Sequence, residues 1–138
     1  MTETLCSQIV DAMQAQGIPA FREFPERLPP VPDRRYFVTV SAEQSETGAP
    51  VLLPEQGCAV PVTVKLRVRS HSCTREDLRT LAQRTEQCLQ SVFRDLRLDV
   101  RRTVRGEITY QKPIDRLVNE CMAMIYGMLF REEDADDT

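Results

Sequence analysis

The sequence has few of the residues from which most enzyme active sites are built. Histidine occurs once, tryptophan is absent, and the five glycines form no phosphate-binding motif. A zinc site needs three or four clustered ligands, and only Cys73 lies close to His71 in sequence. Nucleophilic catalysis needs a base beside its nucleophile, and no motif supplies one. We therefore predict a non-enzymatic chain without catalytic, cofactor-binding or metal-binding residues, and we expect His71 to lie in a surface turn.

The cysteines and the apolar runs favour a cytoplasmic setting. The five cysteines are widely spaced and include no Cys-x-x-Cys pair, which indicates free thiols in a reducing compartment. Nothing at the N-terminus resembles a signal peptide. The longest apolar run, residues 121–130, is about half the length of a membrane-spanning helix. We expect a single domain over residues 1–130 and an acidic, disordered tail over residues 131–138.

A strand followed directly by a long helix forms the predicted core. Apolar and polar residues alternate from Val60 to Val68, and a strand places alternate side chains on opposite faces. Thr74, with Asp77 three positions later, is typical of a helix N-terminus, where the threonine hydroxyl accepts a first-turn N–H. Apolar residues then recur at helical spacing as far as Leu96. We expect this strand and this helix to pack together.

The other segments complete an α+β fold. Before the core strand we predict a helix at 2–16 ending at Gly17, an edge strand at 18–24, a proline-rich loop at 25–35, a strand at 36–40, and a hairpin arm or loop at 41–57. After the core helix we predict a connection or weak strand at 98–102, a strand at 104–111, and a turn at 112–116.

The run from Leu117 to Phe130 is ambiguous, because its apolar residues fit either a helix or a strand apolar on both faces. We favour a strand antiparallel to residues 104–111, since the preceding turn reverses the chain. The predicted order is then α-β-β-β-α-β-β. Two main helices pack on an antiparallel or mixed sheet.

A short apolar insert is one candidate for contact with a partner. It consists of Val51, Leu52 and Leu53, between breakers that contain glycine and proline. Long loops in compact domains are usually functional or disordered. The apolar tip favours a partner contact over disorder.

A cationic strand face is the second candidate. It consists of Lys65, Arg67 and Arg69, with Arg101, Arg102 and Arg105 expected nearby. Arginine binds phosphate oxygens bidentately, so this face fits nucleic acid. It also fits an exposed sheet face that meets acidic residues of a neighbouring subunit. The net charge of −3 and the lack of exposed aromatics on this face favour the second interpretation.

The order of elements resembles the small tail-terminator and tail-completion proteins of long-tailed bacteriophages and prophages. The resemblance is carried by the leading helix that ends in Gly17, the proline-rich segment, the long hairpin, the 60–68 strand feeding the 74–96 helix, and the terminal hairpin turning at residues 112–116. It spans residues 1 to about 130 and is one of pattern and length.

The resemblance implies a homo-oligomeric ring, commonly a hexamer, that caps the tail tube and provides the surface onto which the head connector docks. It implies no catalytic residue, no cofactor and no membrane contact. It places the protein in the bacterial cytoplasm during assembly and then in the virion tail. The apolar insert would contact a neighbour or the tube, and the cationic face would meet acidic surfaces across subunit boundaries. A nucleic-acid-binding α+β module that uses the cationic face, and a small ligand-binding or enzymatic domain, remain the alternatives.

Overall fold

A long β-hairpin runs through the middle of the computed structural model, which describes residues 2–22, 35–53 and 57–131. The two helices are α1 (Thr2–Ala15) and α2 (Arg75–Asp95). The strands are β1 (Ala20–Arg22), β2 (Tyr36–Glu46), β3 (Val51–Leu53), β4 (Gly57–Ser72), β5 (Asp99–Arg105), β6 (Thr109–Gln111) and β7 (Arg116–Arg131). A short 3₁₀ helix, Lys112–Ile114, precedes β7.

The strands form one mixed sheet in the order β1-β2-β4-β7-β5. Among these described strands, β1 and β2 run parallel and the other pairs are antiparallel. β2 and β3 pair with successive segments of the same edge of β4. β5 and β6 likewise pair with successive segments of the same edge of β7. The predicted α+β class, with helices packed on a mixed sheet, is confirmed.

Both helices pack on the same face of the sheet. The alternate β4 residues Val64, Leu66 and Val68 are buried in one apolar cluster with residues of both helices. From α1 this cluster takes Leu5, Cys6, Ile9, Val10 and Met13, and from α2 it takes Leu81, Cys88, Leu89 and Val92. Each fully buried aliphatic side chain contributes roughly 1.5–3 kcal/mol to folding. The apolar face predicted for residues 60–68 is therefore the side of β4 that faces the core.

Local signals fix the ends of both helices. Gly17 has a φ of 79°, a left-handed conformation that glycine adopts without steric cost, and it ends α1 as predicted. Thr74 has extended backbone angles, and its hydroxyl accepts a hydrogen bond of 3.2 Å from the N–H of Asp77. This satisfies one of the otherwise unpaired amides of the first turn of α2. The predicted cap is confirmed.

Thr74→Ala is expected to lower the free energy of unfolding by about 1 kcal/mol, because it removes this cap. Urea denaturation followed by circular dichroism measures the change. Thr80→Ala in the same helix is the matched control, because its exposed hydroxyl donates only to the carbonyl of Glu76. Alanine is also the better helix former at that position. An equal loss in both variants would contradict the role of the cap.

Three boundaries differ from the predictions. Residues 41–46 belong to β2, because they pair with β4 as far as Glu46, so the region is a hairpin arm and not a loop. β4 continues through Ser72, so the expected connection at 70–73 begins later. The predicted strand 104–111 is divided: residues 104–105 end β5, residues 109–111 form β6, and both strands pair antiparallel with β7 as expected. β5 ends at Arg105, where the N–H of Gly106 donates to the Glu120 carbonyl and the Gly106 carbonyl accepts from Asn119 Nδ2.

The ambiguous run 117–130 is a strand, as favoured. β7 lies between β4 on one side and β5 with β6 on the other, so both of its edges are paired. Its residues Cys121, Ala123 and Ile125 lie opposite Val68, Leu66 and Val64 on the helix-covered face, and Met122 and Met124 lie on the other face. The remainder of the predicted edge strand (residues 23–24), most of the proline-rich loop and the acidic tail after residue 131 lie outside the described residues.

Candidate functional site

The second face of the sheet is covered by neither helix. It is buried where Phe37, His71 and Val118 lie opposite one another, and we call the rest of it the open face. Residues that lie directly opposite each other on paired strands share a face, so the register defines its members. They include Glu43 of β2, Lys65, Arg67 and Arg69 of β4, Glu120, Met122, Met124 and Tyr126 of β7, and Arg102 and Val104 of β5. The three predicted cationic residues of β4 therefore project together from the open face, each partly exposed.

One carboxylate lies among these cations. Glu120 Oε1 is 3.6 Å from Arg67 Nε and 3.8 Å from Arg69 Nε. Such partly exposed ion pairs each contribute less than about 1 kcal/mol to stability. Their effect is to hold two guanidinium groups in a fixed position beside each other. The members named above include four cations, Lys65, Arg67, Arg69 and Arg102, and two carboxylates, Glu43 and Glu120, so this set of residues is cationic.

The expected second group of arginines divides between the two faces. Arg102 lies on the open face, in line with Lys65 but separated from it by Met124 of β7. Arg105 is on the helix-covered face and forms an ion pair with Glu86 of α2. Arg101 lies at a β-bulge, and its guanidinium carbon is 4.6 Å from the centre of the Tyr126 ring. Arg102 extends the cationic surface that the sequence predicted, and Arg101 borders that surface through its contact with the ring of Tyr126.

The open face also carries a row of two methionines and a tyrosine that was not predicted from the sequence. Met122 and Met124 lie directly opposite Arg67 and Lys65, and Tyr126 follows on the same face. Methionine, tyrosine and arginine are enriched in protein interfaces, whereas lysine and glutamate are depleted. The spacing of Met122, Met124 and Tyr126 at every second residue indicates that they share one face of a strand. Only the register with β4 shows that this face is the one that carries Lys65 and Arg67.

The predicted apolar insert forms the far end of the hairpin. Residues 51–53 are β3, paired with residues 57–59 of β4, so the insert is an ordered strand. Leu52 is 78 % exposed and Val51 is 49 % exposed. Large apolar side chains this exposed at the end of an arm are typical of a contact surface. The interface candidates from the sequence thus lie on two regions, the open face and the tip of the arm.

Among the described residues, two cavities lie on the helix-covered side of the sheet. The larger, about 430 Å³, lies where the helices end against the sheet, and its lining includes Leu5, Val62, Leu96, Leu98 and Ile125. The smaller, about 290 Å³, includes Arg79, Glu86 and Arg105. The ligand-binding alternative placed its pocket around His71, and His71 lines neither of these two.

His71 is buried, which overturns its expected place in a surface turn. Because β4 continues through Ser72, His71 lies opposite Phe37 of β2, and their rings stack with centroids 4.4 Å apart. Its Nε2 is 3.0 Å from Thr39 Oγ1. Burial, with smaller contributions from the positive charges of Arg69 and Arg116, lowers the pKa of His71 to about 4. The imidazole is therefore neutral at pH 7 and packs as part of the structure.

No cluster of metal ligands and no membrane-spanning helix is found in the described part of the chain. Nowhere within residues 2–22, 35–53 and 57–131 do three or more histidine, cysteine or acidic residues group closely enough to hold a metal ion. The five cysteines are unbridged, and burial raises the pKa of the thiols of Cys6 and Cys88. Among the same residues, no helix combines the length and the apolar character needed to span a bilayer.

Comparison with known proteins gives no family assignment. No protein-family model matches the chain, and no curated protein is significantly similar to it in sequence. The function is therefore inferred from the open face and the tip of the arm.

Proposed function

We propose that this protein is a structural subunit of a phage or prophage tail, a tail-terminator or tail-completion protein whose ring caps the tail tube and joins it to the head. The observation that carries the proposal is the division of the sheet. One face is filled by two helices, and the other presents arginine, methionine and tyrosine and runs into an arm with an exposed apolar tip.

The arm gives the subunit the reach that a ring contact needs. β4 has 16 residues and so extends over about 50 Å. The core cluster takes Val64, Leu66 and Val68 from its middle. Ala59 and Val60 before them are also buried, and the exposed tip at Leu52 belongs to β3, which pairs with residues 57–59. A contact between the arm of one copy and a different surface of the next is heterologous, and heterologous contacts generate rings when the rotation closes.

The open face supports contact with protein. Its β4 arginines, Arg67 and Arg69, are partly buried, and methionine side chains are flexible enough to adapt to a partner surface. Charged groups at such contacts mainly set the register and the choice of partner. In this function the cationic face meets acidic surfaces of a neighbouring subunit, the tail tube or the head connector, as the resemblance implies.

The proposal is tested by the mass of the protein in solution. Light scattering from low to high protein concentration is expected to show a shift from monomer toward a closed ring of about six subunits, as the resemblance implies. Leu52→Asp is expected to weaken assembly at least tenfold, because it places a charge on an apolar contact. Gln90→Asp, on the exposed side of α2, changes the charge equally and is the matched control.

Two outcomes would count against the proposal. A chain that stays monomeric at every concentration, and that does not bind the tail tubes of the phage or prophage encoding it, would contradict the function. A Leu52→Asp variant that assembles as well as Gln90→Asp would contradict the role of the arm. Circular dichroism on both variants is expected to show native folding, since both positions are exposed.

A further inference from the structure

The sheet has an open edge at each side. β1 pairs only with residues 38–40 of β2, and no strand of the described chain pairs with the outer side of residues 41–46. β5 forms the opposite edge, and within the described residues only β7 pairs with it. An open edge presents unpaired N–H and C=O groups that can pair with a strand of another chain.

The two edges carry opposite charge. The outer segment of β2, residues 41–46, contains two glutamates and no cation. β5 contains three arginines and one aspartate. Arg101 and Arg105 are engaged by Asp99 and Glu86, which leaves Arg102 as the β5 cation without an ion-pair partner in the described chain. On β2, Glu43 is exposed and likewise has no ion-pair partner among those residues.

The strand directions of the two edges are compatible with pairing. β2 is antiparallel to β4, β4 to β7, and β7 to β5, so β2 and β5 of one copy run in opposite directions. A second copy placed beside the first in the same orientation presents its β2 antiparallel to the first copy's β5, and the open faces continue into each other. The pairing is thus the antiparallel kind, which is slightly more stable per residue.

The register across the sheet indicates which residues meet. Glu43 lies opposite Lys65, Lys65 opposite Met124, and Met124 opposite Arg102. These four residues form one row across the open face. We take the register in which this row continues without a shift into the next copy, because it places Glu43 of that copy beside Arg102 of the first and so pairs opposite charges.

We propose that copies of this chain join edge to edge, with the outer side of residues 41–46 of one copy pairing with β5 of the next and Glu43 facing Arg102. The inference depends on the proposed function, because it supplies the heterologous contact of the ring. Symmetric alternatives are disfavoured by the same charges. Two β5 edges would bring arginines together, and two β2 edges would bring glutamates together.

Charge reversal at the two positions tests the pairing. Glu43→Arg and Arg102→Glu each replace an opposite-charge pair by a like-charge pair, so each contact is expected to weaken about tenfold. The double variant again places opposite charges at the contact, with the two charges exchanged, and is expected to assemble like the natural chain. An equimolar mixture of the two single variants is also expected to assemble, because alternating copies place opposite charges at every contact.

Controls on the helices separate pairing from net charge. Asp11→Arg on α1 and Arg79→Glu on α2 are exposed and change the charge by the same amounts, and both are expected to assemble normally. Light scattering at low ionic strength is the readout, since salt screens exposed charges. Circular dichroism confirms that each variant is folded.

The outcomes distinguish the edge pairing from the ring function on which it depends. Rings that form equally well from both single variants would overturn edge pairing and leave the ring function in place. Failure of the double variant and of the mixture to recover assembly would also overturn the edge pairing. A natural chain that is monomeric alone and on tail tubes would overturn both.

Discussion

Leu66→Ala is expected to lower the free energy of unfolding by about 4 kcal/mol, because it truncates a side chain at the centre of the core. Leu66 has no solvent exposure and lies in the middle of β4, between β2 and β7 and beneath the helices. Truncation removes its apolar transfer free energy and leaves a cavity that closely packed neighbours cannot fill. Because small domains are stable by roughly 5–15 kcal/mol, this is a large fraction of the total.

Leu52→Ala provides the matched comparison, because the same atoms are removed from the same hairpin. Leu52 is 78 % exposed, so its truncation is expected to change the free energy of unfolding by less than about 0.5 kcal/mol. Urea denaturation of both variants and the natural chain, with equal slopes in denaturant, measures the difference. Equal losses in the two variants would show that β3 is packed against the core, contrary to the structure.

The core of the fold was predictable because its signals are local. Alternation from Val60 to Val68 and helical spacing after Thr74 are properties of single segments. Val64 to Val68 and the α2 residues from Leu81 to Val92 share one buried cluster, whereas Leu96 lies beyond the helix and is exposed. The helix ends at Gly17 and Thr74 were also predictable, because a positive φ and a side-chain cap depend on one or two residues.

The missed features depend on which strands lie beside each other. His71 looked like a turn residue because Ser70 and Ser72 flank it in the sequence. It is buried because Phe37, 34 positions earlier, lies opposite it and stacks on its ring. The break after Arg105 depends on Glu120 and Asn119 in the same way, through hydrogen bonds to Gly106. Single-segment periodicity contains no information on such partners.

The same limit applies to the candidate site. The three cations of β4 were predictable as one face, since alternate residues of a strand share a side. The methionine row of β7 joined that face only through its pairing with β4, and Arg102 joined it through β7. The different charges of residues 41–46 and 99–105 are visible in the sequence. Only the strand order shows that these two segments lie at opposite edges of one sheet. Interaction surfaces on sheets are therefore assembled from several strands and are weakly visible in any one of them.

Acidification is expected to destabilise the protein through His71, by about 2 kcal/mol between pH 7 and pH 5. The pKa of His71 is lowered to about 4, chiefly because burial disfavours the charged imidazolium and also because Arg69 and Arg116 are positive. In the unfolded chain, the pKa of histidine is about 6.5. Below pH 6.5 the unfolded state therefore binds a proton that the native state does not bind until the pH approaches 4.

The sign follows from this difference in proton binding. The contribution of His71 to stability is fully present above its unfolded pKa, is lost progressively as the pH falls from about 6.5 to about 4, and changes no further below that. Because His71 is the only histidine and most carboxyls titrate near pH 4, the interval between pH 7 and pH 5 isolates its contribution.

Urea denaturation at pH 7, 6 and 5 measures the effect, and two variants remove the titrating group in different ways. His71→Phe keeps a ring against Phe37, and His71→Gln keeps a polar side chain near Thr39. Both are expected to be less stable than the natural chain at pH 7, because each loses one contact, and both are expected to show almost no change in stability between pH 7 and pH 5. A natural chain whose stability is constant over this interval, or variants that keep its pH dependence, would show that the imidazole is not the group that titrates. The expected pattern, a pH-dependent natural chain and two pH-independent variants, would identify His71 as a neutral, buried part of the sheet.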